Sequence, residues 1–137
     1  MTRATDMLGA TSNSFTINGA TLASCVEACF TCAQSCSTCA DACLAAMPHE
    51  MRQCIARCTN CADICMTTGR VLSRPSQGTN STGLIRALVQ TCLESSRLCL
   101  SECASHSDMQ SCQLCAENCR STEQACTELL RALEVAA

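Results

Sequence analysis

The 137-residue chain has no Trp, no Tyr and no Lys, and only two Phe and two Pro. With so few aromatic rings there is little to stack on nucleobases. Nine Arg against twelve Asp and Glu give a formal net charge of −3, so the basic excess that a phosphate backbone requires is missing and no nucleic-acid partner is expected. No apolar run approaches the roughly 18 residues needed to cross a bilayer, so no membrane partner is expected either. Residues 1–11 (MTRATDMLGAT) hold one Arg, no twin-arginine pair and no apolar stretch, which predicts a cytoplasmic protein without an export signal. Large apolar side chains are also scarce. Val, Ile, Leu and Phe together number 23, less than about a fifth of the chain, the range in which an ordinary apolar core becomes hard to assemble.

Cysteine is what the chain has instead, 17 residues of 137. In a reducing compartment such density points to metal or redox chemistry rather than to a disulfide framework, and an odd number of thiols cannot all pair within one chain. They stand in four segments: Cys25, Cys29, Cys32, Cys36, Cys39 and Cys43; Cys54, Cys58, Cys61 and Cys65; Cys92, Cys99 and Cys103; and Cys112, Cys115, Cys119 and Cys126. Within each segment the interval is 3, 4 or 7 residues, the heptad rhythm that places every member on one stripe of an α-helix. Four striped segments predict four helices with cysteine facing inward.

The breaks between segments agree. The first helix is expected over about 21–46, and Pro48 suits the first turn of the second, where its missing N–H costs nothing. The second helix reaches about Ser73, and RPSQGTNS (74–81) has the composition of a loop. The third helix spans about 82–105, and Asp108 is placed as the N-cap of a fourth that runs to about Glu134. Short links force antiparallel neighbours, so the expected fold is all-α, an antiparallel up-down-up-down four-helix bundle with left-handed packing. One domain is expected, with an N-terminal arm over 1–20, carrying a short helix near Arg3–Leu8 and a turn at Asn18-Gly19, and a cysteine-lined bundle over 21–135.

Extending the stripes past the cysteines predicts two unlike ends. Leu22, Thr68, Leu72, Ile85, Val89, Leu129 and Leu133 form an apolar plug at one end. Met47, Met51, His106 and Asp108, with His49 and Met109 beside them, gather at the other, which reads as a mouth. Ser96 and Thr122 occupy stripe positions where the pattern would allow cysteine.

Thiolates select soft metals, Cu(I) and Zn(II) foremost. A cysteine stripe on a straight helix offers pairs of sulfurs, which suits the two or three ligands of Cu(I) better than the tetrahedral set of zinc. Charge favours the same ion: near one Cu(I) per thiolate the core becomes neutral, which a low-dielectric interior tolerates. A Zn(II)- or Cd(II)-thiolate detoxification protein is the alternative within metal binding. A thiol redox enzyme is the alternative outside it. Such an enzyme needs an exposed, low-pKa cysteine, whereas every CxxC here is embedded in a longer stripe.

The segments TLASCVEACFTCAQSCSTCADAC, MRQCIARCTNCADIC, TCLESSRLCLSEC and SCQLCAENCRSTEQAC resemble the cysteine-rich four-helix-bundle copper storage proteins of the cytosolic type. The resemblance covers about residues 21–134. It implies a non-enzymatic homotetramer that stores many Cu(I) ions per chain, with all 17 cysteines as ligands, His106 as a nitrogen ligand, and His49, Met47, Met51 and Met109 at the open end where copper enters. Release of copper needs an accepting ligand or partner, so a copper chaperone or acceptor is the expected partner.

Each assignment has a structural counterpart. His106 is either a ligand or a neutral core imidazole with a hydrogen-bond partner. His49 either serves the mouth or faces solvent, and the methionines either relay Cu(I) or fill gaps. Cys126, then Cys25 and Cys65, are the cysteines most open to a purely structural role. Asp41, Asn60, Asp63 and Asn118 are weighed as oxygen ligands at the cluster edge. Phe30, with Val26 and Ala33, makes a second apolar line that packs the arm or a subunit interface.

Overall fold

A computed structural model describes residues 3–10, 19–74 and 82–136. Its elements are α1 (Arg3–Gly9), α2 (Gly19–Ala46), α3 (Arg52–Leu72), α4 (Thr82–Ala104) and α5 (Gln110–Ala136). No strand occurs among the described residues. The four long helices are the four striped segments, and each packs against two neighbours in the cycle α2, α3, α4, α5. Sulfur pairs give their directions. Cys32 meets Cys61 while Cys43 meets Cys54, and Cys65 meets Cys92 while Cys54 meets Cys103, so α3 runs opposite to both α2 and α4. Cys25 meets Cys126 while Cys39 meets Cys112, so α5 also opposes α2.

Boundaries differ from the sequence expectation where loops are tight. Gly19 is the first residue of α2, and Asn18 lies outside the described residues. Pro48 does not open α3. It sits in a separate turn over 48–51, closed by Met51 N–H donating to the Met47 carbonyl at 3.0 Å, and α3 follows from Arg52. At the other short link α5 begins at Gln110, so Met109 rather than Asp108 immediately precedes it. Most of the 74–81 loop lies outside the described residues. The short N-terminal helix is present, and its Ala4 and Leu8 pack against the core.

The plug is built as expected. Leu22, Thr68, Leu72, Ile85, Val89, Leu129 and Leu133 are all buried, with none more than 4% exposed. Thr68 enters this apolar layer without an orphan hydroxyl, because its Oγ1 donates to the Ile64 carbonyl one turn back at 2.7 Å. The Phe30 ring packs on α3: a Cβ on Gly69 would stand 2.8 Å from it, so the ring lies on the bare backbone there. Glycine inside a helix costs about 1 kcal/mol against alanine. Here it admits an aromatic ring at the α2–α3 seam.

Candidate metal centre

All 17 cysteines are free and buried, none more than 1% exposed. The 3-4 spacing turns every thiol onto the bundle axis, where the four helices bring their stripes to common levels. Fifteen of them, from Cys29 near the plug to Cys43 at the far end, are joined in one network of sulfur–sulfur contacts of 3.6–4.0 Å. The remaining two, Cys25 and Cys126, face each other at 4.0 Å next to the plug. Cys126 and Cys25 thus lie on the axis with the rest, and Cys65 stands 3.7 Å from Cys61 and 3.8 Å from Cys92.

Geometry goes beyond the pairs expected from single stripes. Four groups of four sulfurs have all members within 4.8 Å of one another: Cys32, Cys36, Cys61 and Cys119; Cys36, Cys99, Cys115 and Cys119; Cys39, Cys58, Cys103 and Cys115; and Cys39, Cys43, Cys54 and Cys112. Each draws on three or four helices, which is why no single segment reveals it. The groups share corners, so they form a ladder from mid-bundle to the mouth. Cys25, Cys29, Cys65, Cys92 and Cys126, nearest the plug, belong to none of them.

Around an ion with metal–sulfur bonds of about 2.3 Å, sulfurs stand about 4.0 Å apart if it is trigonal and about 3.8 Å apart if tetrahedral. The contacts above already match both, so binding asks little of the backbone. At the two stripe positions without sulfur the core holds hydroxyls. Ser96 Oγ lies 4.0 Å from Cys61 Sγ, and Thr122 Oγ1 donates to carbonyls at Ala28 and Asn118 at 3.2 and 3.0 Å. Both are fully buried and both are satisfied.

Burial governs the thiols at the mouth. Desolvation, then the neighbouring Cys112, pushes the Cys43 thiol up to about 12, and desolvation likewise raises Cys112. Both therefore carry their protons at neutral pH. Deeper in, hydrogen bonding acts the other way: contact with Cys119, then Cys36, lowers Cys32 to about 5.

The mouth is more closed than its composition suggests. Met51 is only 2% exposed and belongs to the core cluster, and Met109 packs against that cluster. Met47 is 36% exposed and His49 is exposed in the turn over 48–51. His106 follows the end of α4, its backbone N–H donating to the Cys103 carbonyl at 3.1 Å. Its ring is half-buried, and Nε2 lies 2.7 Å from Glu102 Oε2. Glu102 also meets Arg57 at 3.6 Å. Sequence reasoning missed this carboxylate, although its position four residues before His106 is the helical pairing distance. Asp41, Asn60 and Asp63 are exposed, and Asn118 donates to Ser35 Oγ at 2.9 Å, turned to a neighbouring helix.

The sequence matches the family described as copper storage protein over residues 18–131. The chain belongs to the copper storage protein family. No curated protein matches it closely. Among solved structures it is similar to the copper storage protein Ccsp from Streptomyces lividans loaded with 10 copper equivalents, at 39% identity over 94% of this chain and 98% of that one, with a TM-score of 0.89. The cytosolic copper storage protein from the same organism carrying five coppers is 43% identical over 82% of this chain and 93% of that one, at a TM-score of 0.77. A variant of the Streptomyces protein with two histidines replaced by alanine is 40% identical over 85% of this chain and 98% of that one, at a TM-score of 0.79. For a copper storage protein the thiol ladder is the fitting donor set: soft, buried, and numerous enough for many ions. No helix among the described residues is long and apolar enough to cross a membrane.

Proposed function

We propose that this copper storage protein holds Cu(I) on all 17 of its cysteine thiolates, in the cytosol, as one domain that binds and releases metal without catalysing a reaction. Copper arrives at the end bearing His106, His49, Met47, Met51 and Met109, displaces thiol protons, and passes inward by exchange between neighbouring thiolates. His106 contributes a nitrogen ligand at that end. The Streptomyces protein is known with 5 and with 10 copper equivalents, and we extend multiple loading to this chain. Exposed Leu44, Leu84, Leu98 and Leu114 are consistent with assembly into a homotetramer, and a copper chaperone or acceptor serves as donor and recipient.

The observation that carries this reading is the network of fifteen thiols along the bundle axis, with Cys25 and Cys126 facing each other at its plug end. One cation per thiolate cancels the charge inside it, so capacity follows the thiol count. Anaerobic titration of the reduced apo protein with Cu(I), against a chromophoric Cu(I) chelator, is expected to show about 17 equivalents bound before free copper appears. An endpoint of a few equivalents would mean that most cysteines are structural and would overturn the proposal.

A further inference from the structure

The mouth carries a polar cluster that the thiol core does not explain. Arg57 of α3, half-buried, reaches the end of α4 twice: its Nη1 donates to the Leu98 carbonyl at 3.4 Å and lies 3.6 Å from Glu102 Oε1. The other oxygen of Glu102 lies 2.7 Å from His106 Nε2. The Glu102 side chain is 17% exposed and that of His106 is 23% exposed, so neither contact is a loose surface pair.

An ionised carboxylate has no proton to give, so in this contact His106 Nε2–H donates and Glu102 accepts. In the neutral ring the nitrogen that carries the proton is thereby chosen, and Nδ1 holds the lone pair. A carboxylate acting on the far nitrogen of an imidazole is the arrangement that orients a metal-binding histidine and raises its basicity. We infer that Glu102, held by Arg57, is a positioning residue that presents His106 to incoming Cu(I) through Nδ1. The inference rests on the reading of His106 as a ligand. A neutral ring adds a ligand without releasing a proton, unlike the thiols below it.

Two measurements separate the clamp from the ligand role. In the reduced apo protein, with ¹⁵N-labelled histidine, the His106 Nε2–H proton is expected to be protected from exchange with water and visible by NMR. It should persist in Glu102→Gln, whose amide oxygen still accepts, and vanish in Glu102→Ala. On addition of Cu(I) the Nδ1 resonance should shift while Nε2–H remains. In competition with a Cu(I) chelator, Glu102→Ala is expected to weaken the His106-dependent copper about 10–100-fold, the usual effect of removing such a partner, and to have no further effect when combined with His106→Ala.

An Nε2–H signal unaffected by Glu102→Ala would overturn the clamp, as would copper shifting Nε2 instead of Nδ1. An equal loss from Glu102→Ala with and without His106 would assign Glu102 a merely structural role. If His106→Ala alone leaves copper partition unchanged, the ligand reading fails, whereas the apo N–H signal still decides whether Glu102 holds the ring.

Discussion

The corner-sharing of the sulfur quartets makes a prediction that thiol counting alone does not. Cys36 and Cys115 lie 3.6 Å apart, and between them they belong to three of the four quartets, leaving only Cys39, Cys43, Cys54 and Cys112 intact. Cys25 and Cys126 also face each other but belong to no quartet. Replacing either pair by serine removes two thiolates. Charge matching therefore predicts the same fall in total capacity for both variants, about two Cu(I) per chain. Geometry predicts that they differ in how tightly the remainder is held. Serine oxygen is a hard donor that Cu(I) does not favour, so C36S/C115S breaks most of the many-sulfur sites while C25S/C126S breaks none. Folding is expected to survive, because buried Ser96 and Thr122 already occupy stripe positions. Titration against Cu(I) chelators of graded affinity should show C25S/C126S retaining its strongly held copper and C36S/C115S losing most of it. Equal losses of tightly held copper in the two variants would refute the assignment of the quartets as the strong sites, and a fall in total capacity far beyond two would refute one copper per thiolate.

Three further outcomes follow from the same structure. Because the Cys43 thiol is pushed up to about 12 from 9.0, the folded apo protein holds that proton more tightly than the unfolded chain; its stabilising effect is present below about pH 9 and lost as pH rises toward 12, which a denaturant midpoint followed through that window would detect as a decline. Leu129 is fully buried in the plug, away from the quartets, so Leu129→Ala should destabilise the reduced apo protein by about 2–5 kcal/mol without changing copper capacity; circular dichroism is expected to show the parent apo protein helical before any metal is added, and an unfolded apo chain would contradict the role of the plug. Gly69→Ala would ordinarily gain about 1 kcal/mol in a helix interior; the Phe30 ring should reverse that sign, and thermal melts should recover the gain in a Phe30→Ala background.

Much of this architecture is legible in the chain because one physical rule governs it. The 3-4 spacing of cysteine forces a stripe, four stripes separated by loop signals force four helices, and Leu22, Leu72, Val89 and Leu129 continue the stripes into a plug. What the spacing cannot carry is the axial offset between helices. That offset decides that Cys39 shares one quartet with Cys103 and another with Cys43 and Cys54, and that Phe30 lands on Gly69. Loop chemistry hides the rest. Pro48 is sterically suited to a first helical turn, yet the turn over 48–51 closes before α3 begins and carries Met51 into the core, narrowing what composition alone reads as an open mouth. Glu102 is an ordinary surface acid in the sequence, and is drawn into a half-buried cluster at the mouth only because Arg57 on another helix and His106 past the helix end meet it.

The most direct test of the account is anomalous diffraction at the copper edge from crystals of the fully loaded protein. Copper peaks are expected along the bundle axis, between the sulfurs from Cys25 and Cys126 at the plug to Cys43 and Cys112 at the mouth. Peaks confined to the bundle surface or to subunit contacts, with an empty thiol core, would contradict it.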